Sequence, residues 1–181
     1  MTNLRGAILF SKVDDAVYIG VAMAHASLSK ATRLKVGACI VTTSRVIIPG
    51  VNGLPKALGN TCEHDGATKP SVVHAELNCI LKAQREGISI EGATLYVTHS
   101  PCEHCASLII MTGIKRVVYV DEYRSSQGLL NLATAGVETK RWESACQQVA
   151  YQRCQTKERK LMEKLVCGVG VNDLGYRRSE E

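Results

Sequence analysis

Apolar residues recur at helical spacing near the start of the chain. Val13, Val17, Val21, Ala24 and Leu28 predict a first amphipathic helix. Residues 36–43 and 46–51 are short, apolar and β-branched, as strands are, and Thr43-Ser44-Arg45 joins them as a hairpin. Residues 49–70 hold most of the Gly and Pro of the first half and predict a long loop, a feature that in a compact domain often carries function. From His74 the period becomes helical, with Leu77, Ile80, Leu81 and Gln84 in step and Gly87 as the stop. Residues 94–98 predict a buried strand. Pro101 suits the first turn of the next helix, where its missing N–H is not needed, and Gly113 closes that helix. Residues 115–120 predict another buried strand and residues 127–135 another helix.

The alternation from Glu76 onward, helix–strand–helix–strand–helix, implies parallel strands with helical crossovers. The opening hairpin makes the sheet mixed, so the fold class is α/β. A further helix is predicted from near Trp142, with Ala145, Cys146 and Val149 on one face. There is no internal repeat.

Composition narrows the class. With 181 residues, 45% hydrophobic and 22% charged, the chain has enough apolar material for one well-cored domain and is not disordered as a whole. The formal charge of +5 fits a phosphorylated substrate but is too small to indicate nucleic acid. The Lys- and Arg-rich stretch 141–164 reads first as a solvated helix face. No apolar run approaches the ~20 residues of a membrane span. The N-terminus lacks the h-region and cleavage site of a signal peptide, so a cytoplasmic protein is expected. Eight cysteines in such a chain point to reduced thiols or metal ligands before disulfides.

Two segments carry chemistry: His74-Ala75-Glu76 and Pro101-Cys102-Glu103-His104-Cys105. Together they match the zinc deaminase signature H-x-E … P-C-x-x-C. Cys102 and Cys105 lie three residues apart, so one helical turn aims both sulfurs the same way. A helix N-terminus favours thiolates. His74 is the third ligand. Three protein ligands leave a fourth position for water, the mark of a catalytic zinc site, where the metal lowers the pKa of water to ~7. Two helical steps turn the chain by ~200°, so His74 and Glu76 do not share one metal from a regular helix. Glu76 is instead the proton shuttle. A structural zinc site would need a fourth ligand. His104 is the near rival, but its place between the cysteines points it elsewhere.

At these residues the chain resembles the dCMP deaminases of the cytidine deaminase superfamily, over about residues 29–137. Arg33-Leu34-Lys35-Val36-Gly37-Ala38 resembles the segment opening the family's first strand. Asn52-Gly53-Leu54-Pro55 resembles its Y-N-G-x-P loop, and His74-Ala75-Glu76-Leu77-Asn78 its zinc helix. The longest likeness runs through Leu95-Tyr96-Val97-Thr98, the cysteine segment and residues 113–119. Residues 130–137 resemble the family's last helix and turn.

The resemblance implies a three-layer α-β-α cytidine deaminase-like fold with a five-stranded mixed sheet. It implies catalytic zinc, conversion of dCMP to dUMP on the route to thymidylate, a homohexamer, and regulation by dCTP and dTTP. On this reading residues 1–140 form the deaminase domain, and 141–181 are a C-terminal helical extension rather than a separate domain. Val51 stands where the family has Tyr before Asn-Gly. The same loop is linked to allosteric binding, so this departure bears on regulation.

Further residues carry two readings each. Arg33 and Asn52 match family positions near the phosphate and sugar. Arg33 is suited to phosphate by its planar fork, or is an exposed arginine. Asn52 is a substrate contact, or holds its turn. Tyr123 stacks on the pyrimidine or covers it, or is an ordinary half-buried tyrosine. Cys62 and His64 are candidate ligands for a second, structural zinc of the kind some phage-type members carry, with His25 or Cys39 as further donors. The alternative there is a polar loop closing over substrate. Two other functions compete: a nucleic-acid deaminase acting on tRNA or single strands, disfavoured by the small number of aromatic residues available for base stacking, and a non-catalytic zinc module, which would not need Glu76.

Overall fold

The computed structural model describes residues 12–143. Twelve elements follow in order: helix α1 (Lys12–Ala26), strands β1 (Gly37–Val41) and β2 (Ile47–Val51), a single 3-10 turn (Lys56–Leu58), the two-residue strands β3 (Glu63–His64) and β4 (Ala67–Thr68), α2 (Ala75–Arg85), β5 (Thr94–His99), α3 (Glu103–Met111), β6 (Arg116–Asp121), α4 (Gln127–Thr134) and β7 (Glu138–Arg141). The main sheet has five strands in the order β2-β1-β5-β6-β7. β1 runs antiparallel to both β2 and β5, whereas β5, β6 and β7 are parallel to one another.

Alternation along the strands divides the core into two faces. Ala38, Ile40, Leu95, Val97, Val117 and Tyr119 face one way and pack with residues of α2, α3 and α4. Cys39, Val41, Tyr96, Val118 and Val120 face the other way and pack against α1. The result is the expected three-layer α-β-α arrangement. Among the described residues no helix is long and apolar enough to cross a membrane.

Three local features differ from the sequence pattern. First, α1 buries Asp15, Ile19, Ala22 and Ala26, while Val17 and Leu28 of the predicted apolar row are exposed. Second, the loop 49–70 contains a small hairpin, β3–β4, turned through Asp65 and Gly66 at φ 49° and 72°. Asp-Gly is a favoured pair for a two-residue turn with both φ positive. Third, the polar run Glu138–Arg141 is an edge strand paired to β6. Trp142 N–H then donates to the Tyr119 carbonyl at 2.6 Å. The helix expected through Ala145, Cys146 and Val149, and nearly all of the expected extension, lie outside the described residues.

The anomaly of α1 has an electrostatic cause. Asp15 is fully buried. Arg116 donates to it twice, at 2.6 and 2.9 Å, Lys140 at 2.8 Å and the Tyr96 hydroxyl at 3.0 Å. Arg116 also donates to Glu138 at 2.8 Å. One carboxylate thus joins α1 to β5, β6 and β7. Burial alone would raise the Asp15 pKa, but the bonds from Arg116, Lys140 and Tyr96 outweigh it and hold the group below its usual value.

Because the folded pKa is lowered, the contribution of Asp15 to stability is complete above the unfolded value of about 3.9 and is lost as pH falls through the folded value. Asp15→Asn keeps the shape, takes the carboxylate away from Lys140 and leaves Arg116 with Glu138 alone. It is expected to cost about 3–5 kcal/mol in urea unfolding at neutral pH. It is also expected to shrink the stability gap to wild type as the pH is taken below the carboxylate range.

Candidate active site

The site forms where two helices begin. His74 is the N-cap of α2 and Cys102 the N-cap of α3, both with extended backbone, and neither side chain caps its own helix. Both are turned outward instead. His74 is fixed from upstream by a bridge in which Gly53 N–H donates to Val73 C=O at 3.0 Å and Val73 N–H returns to Gly53 C=O at 2.9 Å. Cys102 is fixed through Ser100, whose N–H donates to Asp121 C=O at 2.8 Å and whose hydroxyl accepts Tyr123 N–H at 2.8 Å.

Two glycines let other elements press on these helix starts. A Cβ on Gly50 of β2 would lie 2.5 Å from the Ala75 carbonyl and 2.5 Å from Cys79 Sγ. A Cβ on Gly128 of α4 would collide with the Pro101 carbonyl and stand 2.9 Å from the Cys102 carbonyl carbon. Sequence reading did not single out either glycine. Gly128 is one glycine among 15 with no local motif, and Gly50 was read only as part of the loop Gly50-Val51-Asn52-Gly53.

His74 Nδ1 lies 3.5 Å from Cys102 Sγ and 3.5 Å from Cys105 Sγ. The three donor atoms are all within 4.8 Å of one another, and they form the one such cluster found among the described residues. Hydrogen bonding from Cys105 pulls the Cys102 thiol down to about 3, with His74 adding to the effect, while Cys105 is pushed up because it keeps the shared proton. The contact with Cys102 holds His74 above the usual histidine value despite its partial burial. An imidazole, a thiolate and a second thiol converging this closely form a donor set suited to zinc, and metal binding displaces the remaining proton. His104 is exposed and outside the cluster.

Glu76, in the first turn of α2, is only 4% exposed. Burial raises its pKa, partly offset by its own backbone N–H and by His74. A carboxyl that holds its proton more tightly than usual, beside a metal-ligand cluster, is equipped to take up and release a proton.

A cavity of about 690 Å³ opens over this cluster, and Arg33, Asn52 and Tyr123 all line it. Sequence reading missed two further cations on its wall, Lys69 and Arg124. Arg124 sits over the Tyr123 ring, 5.4 Å from its centroid, and its place next to Tyr123 was the available signal. His99 also lines the cavity. Burial lowers its pKa, and Asp121, 3.9 Å away, opposes that shift.

Asn52 is largely committed to the protein itself. Its Oδ1 accepts from Ser29 Oγ at 2.7 Å and from Val36 N–H at 2.8 Å, and its Nδ2 donates to the Leu34 carbonyl at 2.9 Å. One amide hydrogen remains for a ligand.

Cys62 and His64 sit in different settings. Cys62 is buried with Ala31 and Val72, whereas His64 is exposed beside Asp65. Neither belongs to a three-ligand group among the described residues. Cys39 is buried in the α1 face of the core, and His25 Nδ1 is 3.0 Å from the Val21 carbonyl of its own helix.

The family model of the cytidine and deoxycytidylate deaminase zinc-binding region matches residues 12–121, a span that contains His74, Glu76, Cys102 and Cys105. The chain belongs to this family. Among deaminase relatives, the deoxycytidylate deaminase of Mycobacterium phage D29 is 41% identical over 123 residues, covering 60% of this chain and 94% of the phage protein. The human deoxycytidylate deaminase is 34% identical over 148 residues, covering 73% of this chain and 81% of the human one. The crystal structure of the dCMP deaminase of cyanophage S-TIM5, in complex with dCMP and dUMP, is similar with a TM-score of 0.71 at 36% identity, covering 74% of this chain and all (100%) of that one.

In this deaminase the packing of Gly128 on the cysteine segment has a measurable consequence. Gly128→Ala must displace either α4 or the Pro101–Cys102 backbone. Zinc affinity, read by competition with a chromophoric chelator, is expected to fall about 10- to 100-fold, in the range for losing support around a metal ligand.

Proposed function

We propose that this chain catalyses the zinc-dependent hydrolytic deamination of dCMP to dUMP, with release of ammonia. The observation that carries the proposal is a buried Glu76 carboxyl beside the His74–Cys102–Cys105 triangle, at the floor of a cavity walled by cations. The similarity to deoxycytidylate deaminases supports the choice of substrate.

His74, Cys102 and Cys105 hold the metal, which when bound supplies Lewis-acid activation of water at neutral pH. Glu76 accepts a proton from the attacking water and delivers it to the N3 ring nitrogen of cytosine. It then assists proton delivery to the departing amine. Its burial suits proton transfer, because the raised pKa makes the carboxyl hold a proton more readily than an exposed glutamate does.

Arg33 binds the phosphate, with Lys69 and Arg124 adding positive charge around the same cavity. Asn52 offers its remaining amide hydrogen to the sugar. Tyr123, backed by Arg124, closes over the pyrimidine. A homohexamer, regulation by dCTP and dTTP, and a cytoplasmic setting extend this reading on the strength of the family resemblance. A second zinc at Cys62 and His64 would need a ligand from beyond the described residues, so one zinc per chain is the reading adopted.

Ammonia release is therefore expected to be far higher with dCMP than with CMP, dCTP, deoxycytidine or single-stranded DNA. Glu76→Gln is expected to lower turnover of dCMP by about 10³-fold while elemental analysis still finds one zinc per chain. Substantial remaining activity would remove Glu76 as the proton carrier.

A further inference from the structure

Residues 29–36 carry Arg33 and form no helix or strand of their own. Polar backbone groups in such a segment need partners from elsewhere. Two side chains reach in to supply them. Asn52 holds both ends, through Ser29 at the start and Leu34 and Val36 at the finish. Glu63 of β3 holds the middle, its Oε1 accepting Thr32 N–H at 2.9 Å and Arg33 N–H at 3.2 Å.

Glu63 is the direct cross-strand partner of Thr68 on β4. Thr68 Oγ1 accepts from the Arg33 guanidinium, Nη1, at 3.3 Å. One rung of the small hairpin therefore grips Arg33 twice, at its backbone and at its guanidinium. Cys62, just before β3, is fully buried with Ala31 and Val72, with Leu54 packed alongside, and this seats the hairpin against the Arg33 segment. Ala67, Thr68 and Lys69 continue from the rung along the cavity wall.

We propose that Glu63 is a positioning residue for recognition of the substrate's phosphate: by accepting the N–H groups of Thr32 and Arg33, it fixes the backbone from which Arg33 reaches the cavity. This rests on the reading of Arg33 as the phosphate contact. The sign of the effect separates positioning from simple charge. A carboxylate near a phosphate site repels the ligand through space, so its removal would tighten binding if charge were its whole role. Positioning predicts the opposite.

The test uses the zinc-loaded full chain and steady-state ammonia release from dCMP and from deoxycytidine. Glu63→Ala, and Glu63→Met, which keeps the aliphatic stem, are each expected to raise KM for dCMP about tenfold with kcat little changed, the loss of roughly one net hydrogen bond. The change in kcat/KM for deoxycytidine is expected to be much smaller. Glu63→Gln keeps an oxygen acceptor and is expected to retain the wild-type KM for dCMP. An unchanged or lowered KM in the Ala and Met variants, equal losses on both substrates, or failure of Gln to rescue would overturn the proposal. Arg33→Ala serves as the reference. If it too lost both substrates equally, the phosphate assignment would fall and this inference with it. If it were selective and the Glu63 variants were not, only the clasp would be overturned.

Discussion

The convergence of two helix starts is the constraint on which the rest of this structure depends. His74 and Cys102 occupy N-cap positions, where Ser, Thr, Asp or Asn would normally satisfy the first free N–H groups. Here the side chains turn away from their own helices and meet, with Cys105, around a common point. Forgoing a cap costs about 1 kcal/mol per helix. Zinc binding to closed structural sites releases about 10–16 kcal/mol in small peptides, so even a fraction of that offsets both caps. The N-terminal helix charge also favours the thiolate and moderates the burial of Glu76. A single arrangement thus brings together the three candidate metal donors and the buried Glu76 carboxyl.

Holding that arrangement requires backbones to come close. β2 reaches α2 at Gly50, and α4 reaches the cysteine segment at Gly128. These contacts press on the backbones of the two helix starts. The loops complete the wall by other means. Asn52 and Glu63 supply side-chain oxygens to a segment without regular structure, which places Arg33 beside the cavity without a strand or helix beneath it.

Much of this was legible in the sequence, for physical reasons that can be named. The elements from α2 to α4 alternate with strong apolar periodicity, and their parallel sheet follows from that alternation. The convergence of His74, Cys102 and Cys105 was legible because each sits at a helix start. Less was legible where tertiary contacts override local pattern. Val17 of the apolar row in α1 lost its place to a face bearing Asp15, because buried partners from β5, β6 and β7 make that carboxylate acceptable inside. β7 was missed because Glu-Thr-Lys-Arg shows no apolar alternation, being an edge strand half open to solvent. The β3–β4 hairpin was missed because strands of two residues leave no periodic trace. Its Asp-Gly turn was the one available sign. Asn52 was read as either a substrate contact or a turn residue, and its bonds give most of its capacity to the fold.

The ion cluster at Asp15 also bears on the order in which the chain comes together. Its carboxylate is 101 residues from Arg116 and 125 from Lys140. During synthesis the first helix emerges long before either cation exists. Until β6 and β7 have been made, docking α1 would bury an unpaired charge, which is strongly unfavourable. Full pairing of the α1 carboxylate on that face therefore needs both β6 and β7 in place.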